Sequence, residues 1–244
     1  MDRGRQELQP AYVLHSYPFR ETSLVVEVFS RDFGRLGMVA RGARRPRSPL
    51  RGLLQAFQPL RLSWHGKSEL RTLTGAEWQG GLPNLSGLTA LCGLYMNELL
   101  LRLLPRDDAH QTLYTCYHGT LLALAGPEEH SALLRSFEKT LLKELGYALL
   151  LEHDAETGAP IDAANSYYYA LEQGPRLQYN GTEPWAPSAG IAVLGKTLLD
   201  MACDDYRDPL TQQQSKALMR RVITHYLGGR ELHTRQLLRD IMKP

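Results

Sequence analysis

The chain has 244 residues and a mass of 27.5 kDa, a length that suits one large or two small domains. Hydrophobic residues make up 43% and charged residues 22%, as in ordinary globular proteins, which argues against a disordered or fibrous chain. The formal net charge is +2, but residues 1–75 are net +7 and the remaining residues are net −5. This asymmetry favours a polyanion-binding part joined to a part of another kind.

The three cysteines are scattered and form no CxxC pair, so the sequence predicts neither a disulfide framework nor a cysteine-rich zinc ribbon. Residues 1–10 are polar and lack the apolar core of a signal peptide. The most apolar segment, 88–104, is shorter than the roughly 20 apolar residues that a membrane span needs. We therefore expect a soluble protein of a reducing compartment.

The first third of the chain has the pattern of β-strands. Runs rich in Val, Tyr, Phe and Thr, separated by turn signals, predict strands over 11–19, 22–30, 34–41, 56–64 and 69–78. Because an open sheet of this size would leave long unpaired edges, we expect these strands to close into a small antiparallel barrel.

An arginine-rich loop separates the third and fourth predicted strands. The segment 41–54, RGARRPRSPLRGLL, contains two Pro and two Gly residues and is therefore predicted as a loop. Five arginines lie in it without an acidic neighbour: Arg41, Arg44, Arg45, Arg47 and Arg51. Guanidinium groups bind phosphates bidentately and stack on bases, so these side chains, with Arg35 on the preceding strand, indicate a groove for single-stranded nucleic acid. The alternative is a solvated basic loop. The aromatic residues that can stack in such a groove are Tyr17, Phe19, Phe29, Phe33, Phe57 and Trp64.

From residue 88 onward the period is helical. Helices are predicted over 88–104, from 107 or 108 to 126, from 128 to 146, over 188–203, from a capping box at Thr211 and Gln214 to about 228, and after Thr234. Asp107 or Asp108 is expected to cap the second of them. The interval 152–187 lacks this period and predicts a short hairpin of residues 167–171 and 176–179, followed by a turn at Asn180-Gly181.

A basic stripe lies beside the apolar face of the third predicted helix. Arg135, Lys139 and Lys143 recur every four residues. A basic edge next to an apolar groove can hold an acidic, hydrophobic peptide end. Since Glu138 and Glu144 alternate with these cations, the sequence alone favours a solvated helix face.

Enzyme signatures are absent from the sequence: it has no GxxxxGK[ST], strand-linked GxGxxG, HExxH or GxSxG motif. The adjacent residues Glu152, His153 and Asp154 would not face one another on a helix, so they do not indicate a metal or catalytic site. The sequence thus predicts no catalytic residue, no metal and no cofactor.

Five stretches, in this order, resemble the bacterial recombination mediator family RecO: AYVLHSYPFRETSLVVEVFSRDFGRLGMVARGARRPRS, GLLQAFQPLRLSW, GLYMNELLLRLLP, FEKTLLKELGY and YLGGRELHTRQLL. The resemblance spans essentially the whole chain. It implies a multidomain α+β fold, with an N-terminal five-stranded OB-fold over residues 1–81 and a mostly helical domain over 82–244. It also implies non-enzymatic work in DNA repair, in the cytoplasm at the nucleoid. Family members bind single- and double-stranded DNA, anneal complementary strands, engage the acidic tail of the single-stranded-DNA-binding protein and, with RecR, help to load the RecA recombinase.

The resemblance also carries over to particular residues. It implies DNA contact by Arg35, Arg41, Arg44, Arg45, Arg47 and Arg51, and it strengthens tail binding by Arg135, Lys139 and Lys143. Many members hold zinc with four cysteines in the region that matches residues 150–180, where this chain has only His153. We therefore expect no zinc site, and packing of Tyr167, Tyr168 and Tyr169 in its place. Two alternatives stay open: a protein-interaction adaptor with secondary DNA contact, and an RNA-binding OB-fold protein.

Overall fold

The N-terminal part of the chain forms a closed five-stranded barrel in the computed structural model, which describes residues 4–178 and 190–241. The barrel strands are β1 Gln6–Phe19, β2 Ser23–Ser30, β3 Gly34–Ala40, β4 Leu60–His65 and β5 Leu70–Trp78. Their order is β1-β2-β3-β5-β4, and β1 closes the barrel because it pairs with both β2 and β4. β3 and β5 run parallel and the other neighbours are antiparallel, so the expected antiparallel pairing is wrong at this one pair of strands. The predicted α+β fold class with an N-terminal OB-like barrel is confirmed.

Aliphatic side chains that alternate along the strands fill the barrel. The buried core cluster includes Val26, Val28, Leu36, Met38, Leu60, Leu62 and Trp64. Because successive side chains of a strand point to opposite faces, the residues between them lie on the outer face of the barrel. Val25 and Val39, which pair with each other across β2 and β3, are two of these outer residues.

Two barrel strands begin elsewhere than the sequence pattern indicates. β1 starts at Gln6 rather than at residue 11, because Gln6 and Gln9 pair with β4 across a register shift. This pairing uses backbone groups, so the polar side chains give no sign of it. β4 starts at Leu60 rather than at residue 56, and Phe57 has a φ of 67°, a left-handed conformation outside the extended region of regular strands.

The helices within the described residues are α1 Gly87–Leu103, α2 Gln111–Leu124, α3 His130–Glu144, α4 Gly195–Ala202, α5 Pro209–Tyr226 and α6 His233–Ile241. None of them is both long and apolar enough to cross a membrane. The chain forms two compact units: one runs up to Glu128 and resumes at Leu232, and the other is Glu129–Glu231.

In the first unit, α1 and α2 pack on the barrel. The Asn97 side chain of α1 donates a hydrogen bond to the carbonyl of Leu14 at 2.9 Å and accepts one from the Tyr117 hydroxyl of α2 at 2.6 Å. These contacts join α1 and α2 to the barrel. The domain boundary expected after Gly81 stays a prediction.

The cap of α2 differs from the prediction. His110 is its N-cap residue, rather than Asp107 or Asp108. The Asp107 carboxylate instead pairs with Arg71 of β5, and that of Asp108 lies 3.3 Å from the His110 ring. Asp107 thus has a tertiary partner and Asp108 has a local one two residues away, and the capping rule includes neither.

The second unit contains a three-stranded sheet of order β7-β6-β8, formed by β6 Ser166–Ala170, β7 Gly174–Leu177 and β8 Ile191–Leu194. The β6–β7 hairpin confirms the predicted one. The helix predicted over 188–203 is wrong in its first part, because Ile191–Leu194 pairs with β6 and α4 begins only at Gly195. A short apolar run does not distinguish a strand from a helix by period alone. The turn predicted at Asn180-Gly181 lies outside the described residues.

The capping box predicted at Thr211 and Gln214 is also wrong. Asp208 is the N-cap residue of α5, and its side chain accepts a hydrogen bond from the Leu210 backbone at 3.0 Å. Gln214 accepts from the Leu194 backbone at 3.0 Å instead, so its side chain connects α5 to β8.

Candidate nucleic-acid interface

The segment 41–54, called the arginine loop below, is a succession of turns whose apolar side chains belong to the barrel core. Ala43 and Leu54 are buried in the core cluster, and Leu50 packs against it. Three backbone bonds close successive turns: Arg45 N to Gly42 O at 3.1 Å, Ser48 N to Arg45 O at 3.0 Å and Arg51 N to Ser48 O at 3.2 Å. The loop prediction is confirmed, and the loop has a defined conformation.

The five arginines of this loop are all exposed: Arg41, Arg44, Arg45, Arg47 and Arg51. Among the residues that the structure describes, no carboxylate forms an ion pair with any of them. An arginine without an acidic partner keeps its planar set of donors for an external anion. The geometry therefore presents five uncompensated cations on a preorganised backbone.

The β1–β2 turn lies against the arginine loop and adds Arg20 to this surface. The Arg44 backbone donates to the carbonyl of Thr22 at 2.9 Å, and its guanidinium reaches the carbonyl of Glu21 at 3.3 Å. Arg20 is exposed, and its guanidinium carbon lies 5.2 Å from the centre of the Phe19 ring. Sequence reasoning did not include Arg20, because only the β1–β2–β3 pairing brings this turn beside the loop.

Arg35 differs from the loop arginines. Its Nε donates to the carbonyl of Leu104 at 2.9 Å, its Nη1 lies 3.6 Å from the Glu27 carboxylate, and its side chain is 17% exposed. Burial lowers the pKa of Arg35, although the charge of Glu27 acts in the opposite direction. Arg35 thus holds the end of α1 against the barrel. Its DNA contact stays a prediction, and this geometry does not support it.

The basic stripe of α3 is mostly engaged inside the second unit. Arg135 is 8% exposed and donates to the Glu138 carboxylate at 2.6 Å. Lys139 lies 2.9 Å from the Asp204 carboxylate. Lys143 is exposed. The structure therefore places the three on one helix, and Lys143 is the one whose charge faces solvent.

The pocket next to Asp204 is acidic. Its lining includes Glu129, Asp204 and Asp205, together with Tyr206 and Arg207. Carboxylates repel an acidic peptide. Binding here therefore requires Lys139 to give up its ion pair with Asp204 and to form one with a carboxylate of the peptide. Tail binding by the stripe is thus less well supported than DNA binding by the arginine loop.

A buried carboxylate organises the segment that matches the zinc region of the resembled family. Asp154 is 4% exposed, and its Oδ1 accepts hydrogen bonds from the backbones of Glu156 and Thr157 and from the Thr157 hydroxyl, at 2.8–3.0 Å. Its Oδ2 accepts from the Leu177 backbone at 2.7 Å. Burial acts to raise the pKa of Asp154, but the hydrogen bonds outweigh it and hold this pKa below its usual value. Asp154 therefore ties the 154–157 turn to β7, a role that the sequence did not reveal.

The same segment also packs through its tyrosines. Tyr167 and Tyr169 are buried in the core of the second unit, and Tyr168 is half-buried. Over residues 4–178 and 190–241, no three His, Cys, Asp or Glu side chains are grouped as metal ligands. His153 is exposed. The absence of zinc stays a prediction, as does the absence of a cofactor.

Two family models match the sequence. Residues 4–81 match the model described as Recombination protein O N terminal, and residues 85–236 match Recombination protein O C terminal. Many curated relatives carry the name DNA repair protein RecO, and three of them illustrate the match. The one from Nitrosospira multiformis is 54% identical over 243 residues, which cover 100% of this chain and 99% of the relative. Those from Dechloromonas aromatica and Aromatoleum aromaticum are 52% and 48% identical, and each alignment covers 99% of this chain and 98% of the relative.

Proposed function

The chain belongs to the recombination protein O family of DNA repair proteins, and from this premise we propose that it is a non-catalytic recombination mediator. It binds single- and double-stranded DNA through the arginine loop and anneals complementary strands. With RecR it helps to load RecA onto DNA that is coated by the single-stranded-DNA-binding protein, whose acidic tail it engages. It works in the cytoplasm, at the nucleoid.

The observation that carries this proposal is the arginine loop itself. Five arginines are exposed on turns whose apolar residues are fixed in the barrel core, and Arg20 extends the same surface. A backbone that is already ordered loses little conformational entropy when it binds, so the charges are positioned for a phosphate chain before it arrives. OB-folds bind such chains on the face of strands 2 and 3 and at the β1–β2 and β4–β5 loops, and the β1–β2 turn of this barrel lies against the arginine loop.

Annealing follows from the same surface without a catalytic residue. Two complementary strands repel each other through their phosphates, and a cluster of arginines neutralises part of both backbones. Neutralisation raises the rate at which the strands meet, and exposed guanidinium groups leave the base edges free to pair.

The proposal is tested by reversing the charge of the loop in the full chain. The triple variant Arg44→Glu, Arg45→Glu, Arg47→Glu removes three phosphate contacts, which should flatten the log–log salt slope for single-stranded DNA by about 2. The same loss predicts at least roughly 50-fold weaker binding at 0.15 M salt. Fluorescence anisotropy of a labelled poly-dT oligonucleotide, over a salt series, measures both quantities.

A matched control has the same change in net charge on another surface. Lys216, Arg220 and Arg221 are exposed on α5, and their triple reversal to Glu should leave the salt slope within about 0.5 of the wild-type value. Equal effects of the two triple variants would mean that net charge, and not the loop, governs binding, which favours the adaptor alternative. Tighter binding of single-stranded RNA than of DNA with the same base order would favour the RNA-binding alternative.

A further inference from the structure

Most aromatic residues that the sequence offers for base stacking belong to the core. Phe29 is 0% and Trp64 is 1% exposed. Phe33 packs edge-on against Trp64, with the ring centres 5.3 Å apart. The Phe57 ring lies against Gly93 of α1, where an added Cβ would be 2.7 Å from it. Phe29 and Trp64 are thus closed to a nucleobase, and the half-buried rings of Phe33 and Phe57 are each packed on one side against another part of the fold.

A row of three rings lies instead on the outer face of β1. His15 and Tyr17 are exposed, and Phe19 is half-buried. A register shift between Val13 and His15 changes the face of the strand: Val13 lies in the barrel core, whereas His15 and the alternate residues after it face outward. Tyr17 pairs with Val25, an outer residue of β2. The His15 and Tyr17 ring centres are 6.1 Å apart and their planes differ by 31°, so the two rings form one continuous surface.

This aromatic row ends at the arginine loop. Phe19 pairs with Ser23 and carries the Arg20 guanidinium near its ring. Val39 pairs with Val25, so it lies on the same outer face as Tyr17. Arg41 follows Val39 by two residues, and the alternation of β3 therefore places the start of the arginine loop on this face. Phosphates bound by the loop and bases lying on the row would therefore belong to one strand.

We propose that the aromatic row His15, Tyr17 and Phe19 is a stacking surface for unpaired bases of the strand whose phosphates the arginine loop binds. This inference rests on the proposed function and deepens it, because it assigns a contact with unpaired bases, in addition to the phosphate contacts, to particular residues. Alternate residues of a strand are about 6.7 Å apart. The bases of a duplex lie about 3.4 Å apart and cover one another's faces, whereas the bases of an unstacked strand can spread to the roughly twofold larger spacing of the rings.

The test is Tyr17→Ala in the full chain, with Tyr17→Phe as the variant that keeps the ring. Tyr17→Ala should weaken binding of poly-dT by roughly tenfold, because stacking on an aromatic ring contributes to affinity for each base. Its salt slope should stay at the wild-type value, since no charge is lost. Affinity for duplex DNA should change less than about twofold, which also shows that the variant is folded. Tyr17→Phe should bind poly-dT like the wild type.

An oligonucleotide with abasic sites in place of bases separates stacking from phosphate contact. The wild type should lose affinity for it, and Tyr17→Ala, which keeps only His15 and Phe19 of the row, should lose less. Trp78→Ala is the matched control, since Trp78 is a 59% exposed aromatic residue elsewhere on the barrel, and it should leave affinity for poly-dT unchanged.

Wild-type affinity of Tyr17→Ala for poly-dT would overturn the inference, and so would an equal loss on duplex DNA. His15→Ala gives a second, independent variant and should also weaken poly-dT binding selectively. The proposed function would be refuted by a different result, namely a wild-type salt slope for the triple Glu variant of the arginine loop. The two failures are therefore distinguishable in one set of titrations.

Discussion

The Asp154 carboxylate should stabilise the second unit more than any ordinary surface carboxylate. In Asp154→Asn, the amide oxygen can keep the bonds that Oδ1 accepts from residues 156 and 157, but without a negative charge. The NH2 group of the new side chain then replaces Oδ2, which accepted a hydrogen bond from the Leu177 N–H, so two donors face each other. An unsatisfied buried donor costs about 1–3 kcal/mol, and charge-assisted bonds are roughly twice as strong as neutral ones. We therefore expect a loss of roughly 2–4 kcal/mol in the free energy of unfolding.

Thermal melting measures this loss, and roughly 2–4 kcal/mol corresponds to a fall in Tm of about 5–15 °C for a chain of this size. Hydrogen exchange gives the local reading, since the amides of Glu156, Thr157 and Leu177 donate to Asp154 and should lose protection in the variant. The control is Asp162→Asn, because the exposed Asp162 accepts from a single backbone amide at 2.9 Å and should shift Tm far less. Melting with and without a chelator should give the same Tm for the wild type.

The pH dependence has a definite sign. The pKa of Asp154 is lower in the folded state than the roughly 3.9 of an unfolded aspartate, so its stabilisation is fully present above about pH 4. It is lost as the pH falls through the folded pKa. The Tm difference between wild type and Asp154→Asn should thus be largest near neutral pH and shrink below about pH 4. A gap that is constant from pH 7 to pH 3, or a variant as stable as Asp162→Asn, would refute this account.

Two further predictions concern the stripe and the barrel. Lys143→Glu should weaken binding of a synthetic acidic tail peptide about two- to fivefold, and Asp204→Ser should strengthen it because Lys139 loses its competing carboxylate. Calorimetric titration measures both affinities, and two unchanged values would exclude the stripe as the peptide site. Gly34→Ala should cost roughly 2–4 kcal/mol, because Gly34 has a φ of +68° and an added Cβ would lie 1.8 Å from the Asp108 carbonyl oxygen; Gly52→Ala, with open space around it, should leave Tm unchanged.

The barrel could be predicted because its information is local. Runs of β-branched and aromatic residues, separated by turn signals, mark each strand where it lies. The parallel pairing of β3 with β5 was not readable in this way, since Gly37, Met38 and Val39 meet Leu70, Arg71 and Thr72 from a distant part of the chain. The capping predictions at Asp107 and Gln214 failed for the same reason, because these side chains bind Arg71 and the Leu194 backbone instead. Local patterns thus indicate elements, and tertiary contacts decide how their ends are used.

Residue type and local density located the arginine loop but did not identify which cations are free. Arg35 and Arg135 carry the same guanidinium group as Arg44, yet one binds the end of α1 and the other pairs with the buried carboxylate of Glu138. Burial decides this difference, and burial depends on neighbours that are distant in sequence. A count of basic residues therefore overestimates a binding surface wherever packing buries some of the basic side chains.

The aromatic row shows how a single irregularity determines a surface. With an uninterrupted alternation, His15, Tyr17 and Phe19 would follow Ala11 and Val13 into the barrel core. The register shift after Val13 turns the rest of β1 over, so the rings lie outside, beside the arginine loop. A bulge of this kind has no reliable signature in one sequence, because it is a mismatch between two paired strands. The same register shift that one sequence does not reveal is what makes the rings available to bases.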